Sequence, residues 1–179
     1  DGYLSTSQDW AAYRIFFDHA KATVAWLRPG VPVGVNLTWS GLNGASASEA
    51  RMLAAMGDVW LVNHYSLQGG FHIGPPDAIA SDMATMLALA GDKPVYLSEL
   101  GYPSDGCGST EVGQRKFVEA AFAAWSRHAD RIPLMTLVWL HDISEAELAT
   151  YTDYYGVGDD CFARYLGSLG LRHRDGTDK

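Results

Sequence analysis

The chain has 179 residues, 47% of them hydrophobic and 19% charged, which excludes the disordered and fibrous classes and fits one globular domain over 1–179. A formal net charge of −8 and the lack of any Lys/Arg run exclude a phosphate-tracking surface for nucleic acid and disfavour anionic lipid. No uncharged apolar run reaches the roughly 18 residues of a membrane span, so neither nucleic acid nor membrane is expected as a partner.

In chain order, Trp10, Tyr13, Phe16, Phe17, Ala20, Val24 and Leu27 recur at three-to-four spacing and predict an amphipathic helix over 8–28. Ser5 with Gln8 reads as its capping box and Gly30 as its stop. A β-type run over 32–39 comes next, bounded by Ser40-Gly41, and the short Gly41-Leu-Asn-Gly44 segment reads as an ordinary loop. A helix over 48–56 leads to a second strand over 58–65. Pro75-Pro76 starts a helix carrying Ile79, Met83, Met86, Leu87 and Ala90, which delivers the chain to a third strand over 93–100. A long helix over 110–127 precedes a fourth strand over 133–141, and a last helical stretch lies near 162–169.

Strands alternating with helices imply βαβ crossovers and a parallel sheet with helices outside it. Four strands fit a small doubly wound sheet or half of a (β/α)8 barrel, and the strand ends decide between them. All four end in polar or aromatic residues: Asn36, Thr38 and Trp39; Asn63, His64 and Tyr65; Ser98 and Glu99; Trp139, His141 and Asp142. A barrel's active face is assembled from the C-terminal ends of many strands, whereas a nucleotide-binding sheet concentrates its signal in one glycine-rich turn. The expected fold class is therefore α/β, four βα units of a TIM-type barrel, with an N-terminal helix before the first strand.

Glu99 ends an apolar strand in phase with Val95 and Leu97 and is followed by Leu-Gly-Tyr-Pro. Burying a carboxylate there without a partner costs several kcal/mol, so it finds donors or does chemistry. A purely structural carboxylate bonded to loop amides or an arginine is the alternative. Trp39, Trp139, Phe71 and Tyr102 read either as walls for a ligand or as barrel core, and His64 as a site residue or a satisfied core histidine.

The succession His64-Tyr65, then Ser98-Glu99-Leu100-Gly101, then Trp139 resembles strands six, seven and eight of the clan A retaining glycoside hydrolases, a large (β/α)8 group. The resemblance implies Glu99 as nucleophile, Tyr65 as its hydrogen-bond partner, His64 in the same network, and Trp139 as a plate against the sugar ring. Asn36, Trp39 and Tyr102 are further candidates for substrate contact. It implies a retaining β-glycosidase, or the nucleophile-bearing half of one, with a carbohydrate substrate and no cofactor. A non-catalytic carbohydrate-binding or scaffold half barrel is the alternative.

The sequence departs from that pattern in one respect. Retaining hydrolysis needs a second carboxyl group about 5–5.5 Å from the nucleophile. In clan A it belongs to an Asn-Glu pair after the fourth strand. No Asn-Glu pair occurs here, and the opening Asp1-Gly-Tyr-Leu-Ser resembles the segment just beyond that pair in related barrels. A fragment, an isolated sheet capped by loops, and a half barrel that pairs with a second copy are the open explanations. Two-fold pairing would bring His141-Asp142 toward the position of the missing acid/base and make Asp142 a candidate in trans.

No metal is expected: Cys107 and Cys161 lack ligand spacing, and no motif demands that His64, His141 and Asp142 converge. Both cysteines fall in loops after neighbouring strands. A disulfide between them, or two free buried thiols, are the alternatives, and the disulfide would favour an extracytoplasmic setting.

Overall fold

A computed structural model describes residues 4–179, so the Asp1-Gly-Tyr3 part of the opening motif lies outside the described residues. Helix α1 (Ser7–Leu27) precedes β1 (Asn36–Thr38), α2 (Trp39–Asn43), α3 (Ala47–Met56) and β2 (Trp60–Tyr65). Then come a 3-10 turn (Gly69–Phe71), α4 (Ala78–Ala90), β3 (Val95–Gly101), α5 (Glu111–Trp125), β4 (Leu134–Leu137), α6 (Glu145–Tyr155) and α7 (Asp160–Gly167). The four strands form one parallel sheet in the order β1-β2-β3-β4, with helices between successive strands. This is the topology of half a (β/α)8 barrel.

Asn36, Leu37 and Thr38 pair with Leu61, Val62 and Asn63. The ladder continues through Trp60 N–H to Pro94 O (3.0 Å), Val95 N–H to Arg131 O (2.9 Å) and Val138 N–H to Leu100 O (3.0 Å). One face of the inner strands is buried: Val62 and His64 on β2, Val95 and Leu97 on β3. Leu61, Asn63 and Tyr65, like Tyr96 and Ser98, are half-buried on the other face. The alternation slips at Glu99, which is half-buried although it follows Val95 and Leu97 in phase. Leu100 and Gly101 are then both buried.

Three local expectations change. The box capping α1 is Thr6 with Asp9: Asp9 N–H donates to Thr6 Oγ1 (3.1 Å) and Thr6 N–H to Asp9 Oδ2 (2.9 Å). The motif needs its carboxylate at the third helical position, which Asp9 occupies and Gln8 does not. The Gly41–Gly44 stretch belongs largely to α2, begun by Thr38 Oγ1 accepting from Gly41 N–H at 3.0 Å. Helix α6 has no counterpart in the periodicity because none of its residues is buried; Ser144 and Glu147 set its start through a capping box, and Gly156 ends it at φ 63°.

The chain divides into two compact units. The first comprises residues up to His64, Met86–Ser98 and Ala129–Met135. Its core includes Trp10, Phe17, Leu37, Leu42, Leu53, Val62 and Leu97. Lys21 Nζ pairs with Asp58 Oδ1 at 2.7 Å, the main cause of a lowered Asp58 pKa. The second unit comprises Tyr65–Thr85, Glu99–His128 and Thr136–Lys179. It is built on Ile79, Met83, Leu100, Phe117, Phe162 and Leu169. Here the buried Gln114 amide donates to Tyr102 O (2.8 Å) and Gly170 O (3.0 Å), satisfying carbonyls that would otherwise be costly to bury. No described helix is long and apolar enough to cross a membrane.

Candidate functional site

In the second unit, Tyr65 at the end of β2 donates its hydroxyl to Glu99 Oε2 at 2.6 Å. That is the short distance of a hydrogen bond to an ionised acceptor. Burial first, and the bond to Glu99 second, raise the Tyr65 pKa above the ordinary tyrosine value. Tyr65 therefore remains a donor at neutral pH. Tyr165 of α7 meets the Tyr65 ring edge-on, centroids 5.8 Å apart, and is raised by burial and then by the Glu99 charge.

Gly101 makes room for this arrangement. A methyl group at that position would lie 2.5 Å from Tyr65 Cε1 and 3.1 Å from Leu169 Cδ2. Gly101→Ala is expected to cost about 1–3 kcal/mol and to turn the Tyr65 ring away from Glu99. Thermal unfolding reads the first effect. Ultraviolet titration of tyrosine reads the second, as one phenol ionising nearer the ordinary value.

The loop after β3 is clamped to α7. Cys107 and Cys161 are bonded, with Cα atoms 5.4 Å apart. Arg164 reaches Asp105 through Nη2–Oδ1 (2.5 Å) and Nε–Oδ2 (3.2 Å), and holds the Asp105 pKa low. Ser104 N–H donates to Ser168 O (2.9 Å). Ile73 N–H donates to Cys107 O (2.8 Å), which ties in the loop after β2. Phe71 of that loop packs on Phe162 (4.9 Å) and Tyr165 (6.1 Å).

The remaining predicted residues fall in different settings. Trp139 stacks on Tyr151, centroids 6.3 Å apart and planes 23° from parallel. Tyr102 is core, 3% exposed, stacked on Phe117 at 4.9 Å with its hydroxyl donated to Gly74 O (3.0 Å), so no ligand reaches its ring. Asp142 is a structural anchor in this fold: its Oδ1 accepts from Lys179 Nζ (2.8 Å) and from Gly170 N–H (3.0 Å). Side-chain exposure is only 4% for Lys179 and 13% for Asp142.

In the first unit His64 is fully buried and lies 6.5 Å, centroid to centroid, from Trp39. Ser98 Oγ lies 2.8 Å from Asn36 Oδ1 and 2.9 Å from Asn63 Oδ1. A serine carries one proton, so one of these two contacts requires the amide to present its NH2 group instead. Asn36 is exposed within this row of polar groups.

No protein-family model and no curated protein matches the sequence. Solved structures do match in fold. A β-glucuronidase from an uncultured Clostridium sp. aligns with 99% of this chain at TM-score 0.60 and 16% identity, the match covering 28% of that enzyme. A glycoside hydrolase family 17 β-1,3-glucanosyltransferase from Rhizomucor miehei aligns with 98% of the chain at TM-score 0.58 and 18% identity, covering 56% of that protein. A Ruminococcus gnavus β-glucuronidase aligns at TM-score 0.59 and 15% identity over 98% of this chain and 29% of its own. The chain thus spans about a quarter to a half of the glycosidases whose fold it shares.

Proposed function

We propose that the chain is the nucleophile-bearing half of a retaining β-glycosidase of the clan A type, with Glu99 as nucleophile. The observation that carries this reading is the 2.6 Å hydrogen bond from Tyr65 to Glu99 at the C-terminal ends of adjacent parallel strands, where a barrel presents its chemistry. The fold shared with three glycosidases supports it.

In this reading Glu99 attacks the anomeric carbon. The glycosidic C–O bond breaks with its electron pair going to the leaving oxygen, which takes a proton from a general acid. Water then attacks the glycosyl ester, gives a proton to the conjugate base of that acid, and releases Glu99 as a carboxylate. Tyr65 holds the attacking carboxylate in one rotamer while the other oxygen reacts. Trp139 offers an apolar plate to the C–H face of the sugar. The second carboxyl group comes from another polypeptide segment, because the sequence has no Asn-Glu pair and Asp142 is engaged by Lys179. The disulfide fits an oxidising, extracytoplasmic setting.

Aryl β-glycosides with acidic phenols test the proposal, since such leaving groups need little proton donation. A charged hydrogen bond of about 1.5–3 kcal/mol sets the expectation for Tyr65→Phe: turnover falls by roughly ten- to a hundredfold. Asp142→Asn is expected to leave turnover within about twofold while lowering stability by about 3 kcal/mol, the effect of breaking a buried ion pair. Sugar binding with neither turnover nor a burst of phenolate in the parent chain would favour a non-catalytic carbohydrate-binding half barrel instead.

A further inference from the structure

The loop after β2 closes as a small hairpin. Leu67 and Ile73 bridge antiparallel, and three backbone bonds fix the stem: Gln68 N–H to His72 O (2.7 Å), Gly74 N–H to Ser66 O (2.7 Å) and Ile73 N–H to Cys107 O (2.8 Å). At its tip two successive residues are left-handed, Gly70 at φ 66° and Phe71 at φ 56°. Glycine enters that region freely, whereas a bulky side chain is strained there. Turn chemistry favours Gly or Asn at such positions. Among the described residues Phe71 is the one non-glycine with a positive φ, and the seven other such positions are all glycine. The chain therefore keeps an aromatic ring where the backbone calls for glycine. Stability alone gives little reason for it, because the strain offsets much of what the ring contacts contribute.

The contacts of that ring supply a reason. Phe71 packs on Phe162 (centroids 4.9 Å apart) and on Tyr165 (6.1 Å), and Tyr165 meets Tyr65 edge-on at 5.8 Å. Phe162 and Tyr165 are 5% and 6% exposed, and the half-buried Phe71 closes over them. The Tyr65 hydroxyl is engaged by Glu99, so the angle of its ring is set by what lies against it, Gly101 and Tyr165. We propose that Phe71 is a positioning residue: held left-handed at the hairpin tip, its ring locks Tyr165 against Tyr65 and so fixes the hydroxyl that orients Glu99. It acts only through those two tyrosines. The proposal rests on the glycosidase reading for its kinetic consequence, whereas the state of Tyr65 is read without any substrate.

The test compares Phe71→Asn, which accepts the left-handed backbone without the ring, with Phe71→Tyr, which keeps the ring. Phe71→Asn is expected to slow phenolate release from 2,4-dinitrophenyl β-glycosides at saturating substrate by about three- to tenfold, as misplacement of a reacting group does. The half-saturating concentration stays within about twofold of the parent, and Tm within about 4 °C. In ultraviolet titration one more phenol ionises below about pH 11 than in the parent. In the Tyr65→Phe background Phe71→Asn changes the rate by less than about twofold and the extra phenol disappears, because the two residues act as one unit. Phe71→Tyr releases phenolate within about twofold of the parent rate. Phe71→Gly, which removes ring and strain together, is expected to give the same two changes and replaces the asparagine variant if that one folds poorly. If the parent releases no phenolate, the glycosidase reading fails and the titration alone decides. An unchanged phenol count in both variants lacking the ring, an extra phenol that persists with Tyr65→Phe, equal slowing in that background, or Phe71→Tyr as slow as Phe71→Asn would overturn the proposal.

Discussion

Glu99→Ala is expected to cut turnover of 2,4-dinitrophenyl β-glycosides by about 10^4-fold or more, the scale seen when a covalent nucleophile is removed. Sodium azide is expected to restore part of it. The phenolate leaves without a proton, so the lost step is formation of the bond to the anomeric carbon. A small anion entering the space of the missing carboxylate forms that bond instead, giving a glycosyl azide of inverted configuration. Glu99→Ala also leaves the Tyr65 hydroxyl without its acceptor, at about 1–3 kcal/mol of stability. Thermal unfolding measured alongside separates a folded, inactive chain from an unfolded one. Tyr65 itself stays protonated across the working range because burial and the Glu99 charge raise it. No loss of activity below about pH 10, the ordinary tyrosine value, is therefore expected from its ionisation.

The second large effect concerns the clamp. Cys107→Ser/Cys161→Ser opens a loop of sequence separation 54. Restored chain entropy for a loop of that size amounts to about 4 kcal/mol. At about 2–4 °C per kcal/mol, Tm should fall by roughly 8–15 °C. The same geometry links the clamp to function. Helix α7 carries Cys161, Phe162 on Phe71, and Tyr165 on Tyr65, so loosening it frees the ring that holds the Glu99 partner. Reductant is expected to lower both Tm and turnover in the parent chain and neither in the double serine variant. A Tm shift of less than about 2 °C in that variant would show the clamp to be redundant with the Arg164–Asp105 pair and the Ser168 hydrogen bonds.

The parts of this architecture that rest on periodicity were readable in the sequence. Val62 and His64, and Val95 and Leu97, alternate with half-buried neighbours, and that pattern with intervening helices gives a parallel sheet. Glu99 stood out because an ionisable group closes an apolar strand, and Tyr65 because it closes the neighbouring one. Other features depend on partners distant along the chain. Asp142 was a candidate only through two-fold pairing with a second copy, and the partner that engages it within the chain, Lys179, is 37 residues away. Tyr102 was a candidate for substrate contact through the resemblance, yet Phe117 and the Gly74 carbonyl draw it into the core. Helix α6 left no hydrophobic stripe to read, since it buries nothing and is held by its caps. The pairing of Cys107 with Cys161 stood as one of two alternatives until the loops could be seen together.

The most direct measurement is covalent trapping. Incubation with the 2,4-dinitrophenyl 2-deoxy-2-fluoro derivatives of β-glucose, β-galactose and β-glucuronic acid, then peptide mass spectrometry, reports the residue that carries the glycosyl ester. The expected result is one adduct per chain on the peptide containing Ser98-Glu99-Leu100, with fragmentation placing it on Glu99 and no adduct in Glu99→Gln. An adduct on another carboxylate, or steady turnover of the aryl glycosides with Glu99 unlabelled, would contradict the assignment of Glu99 as nucleophile.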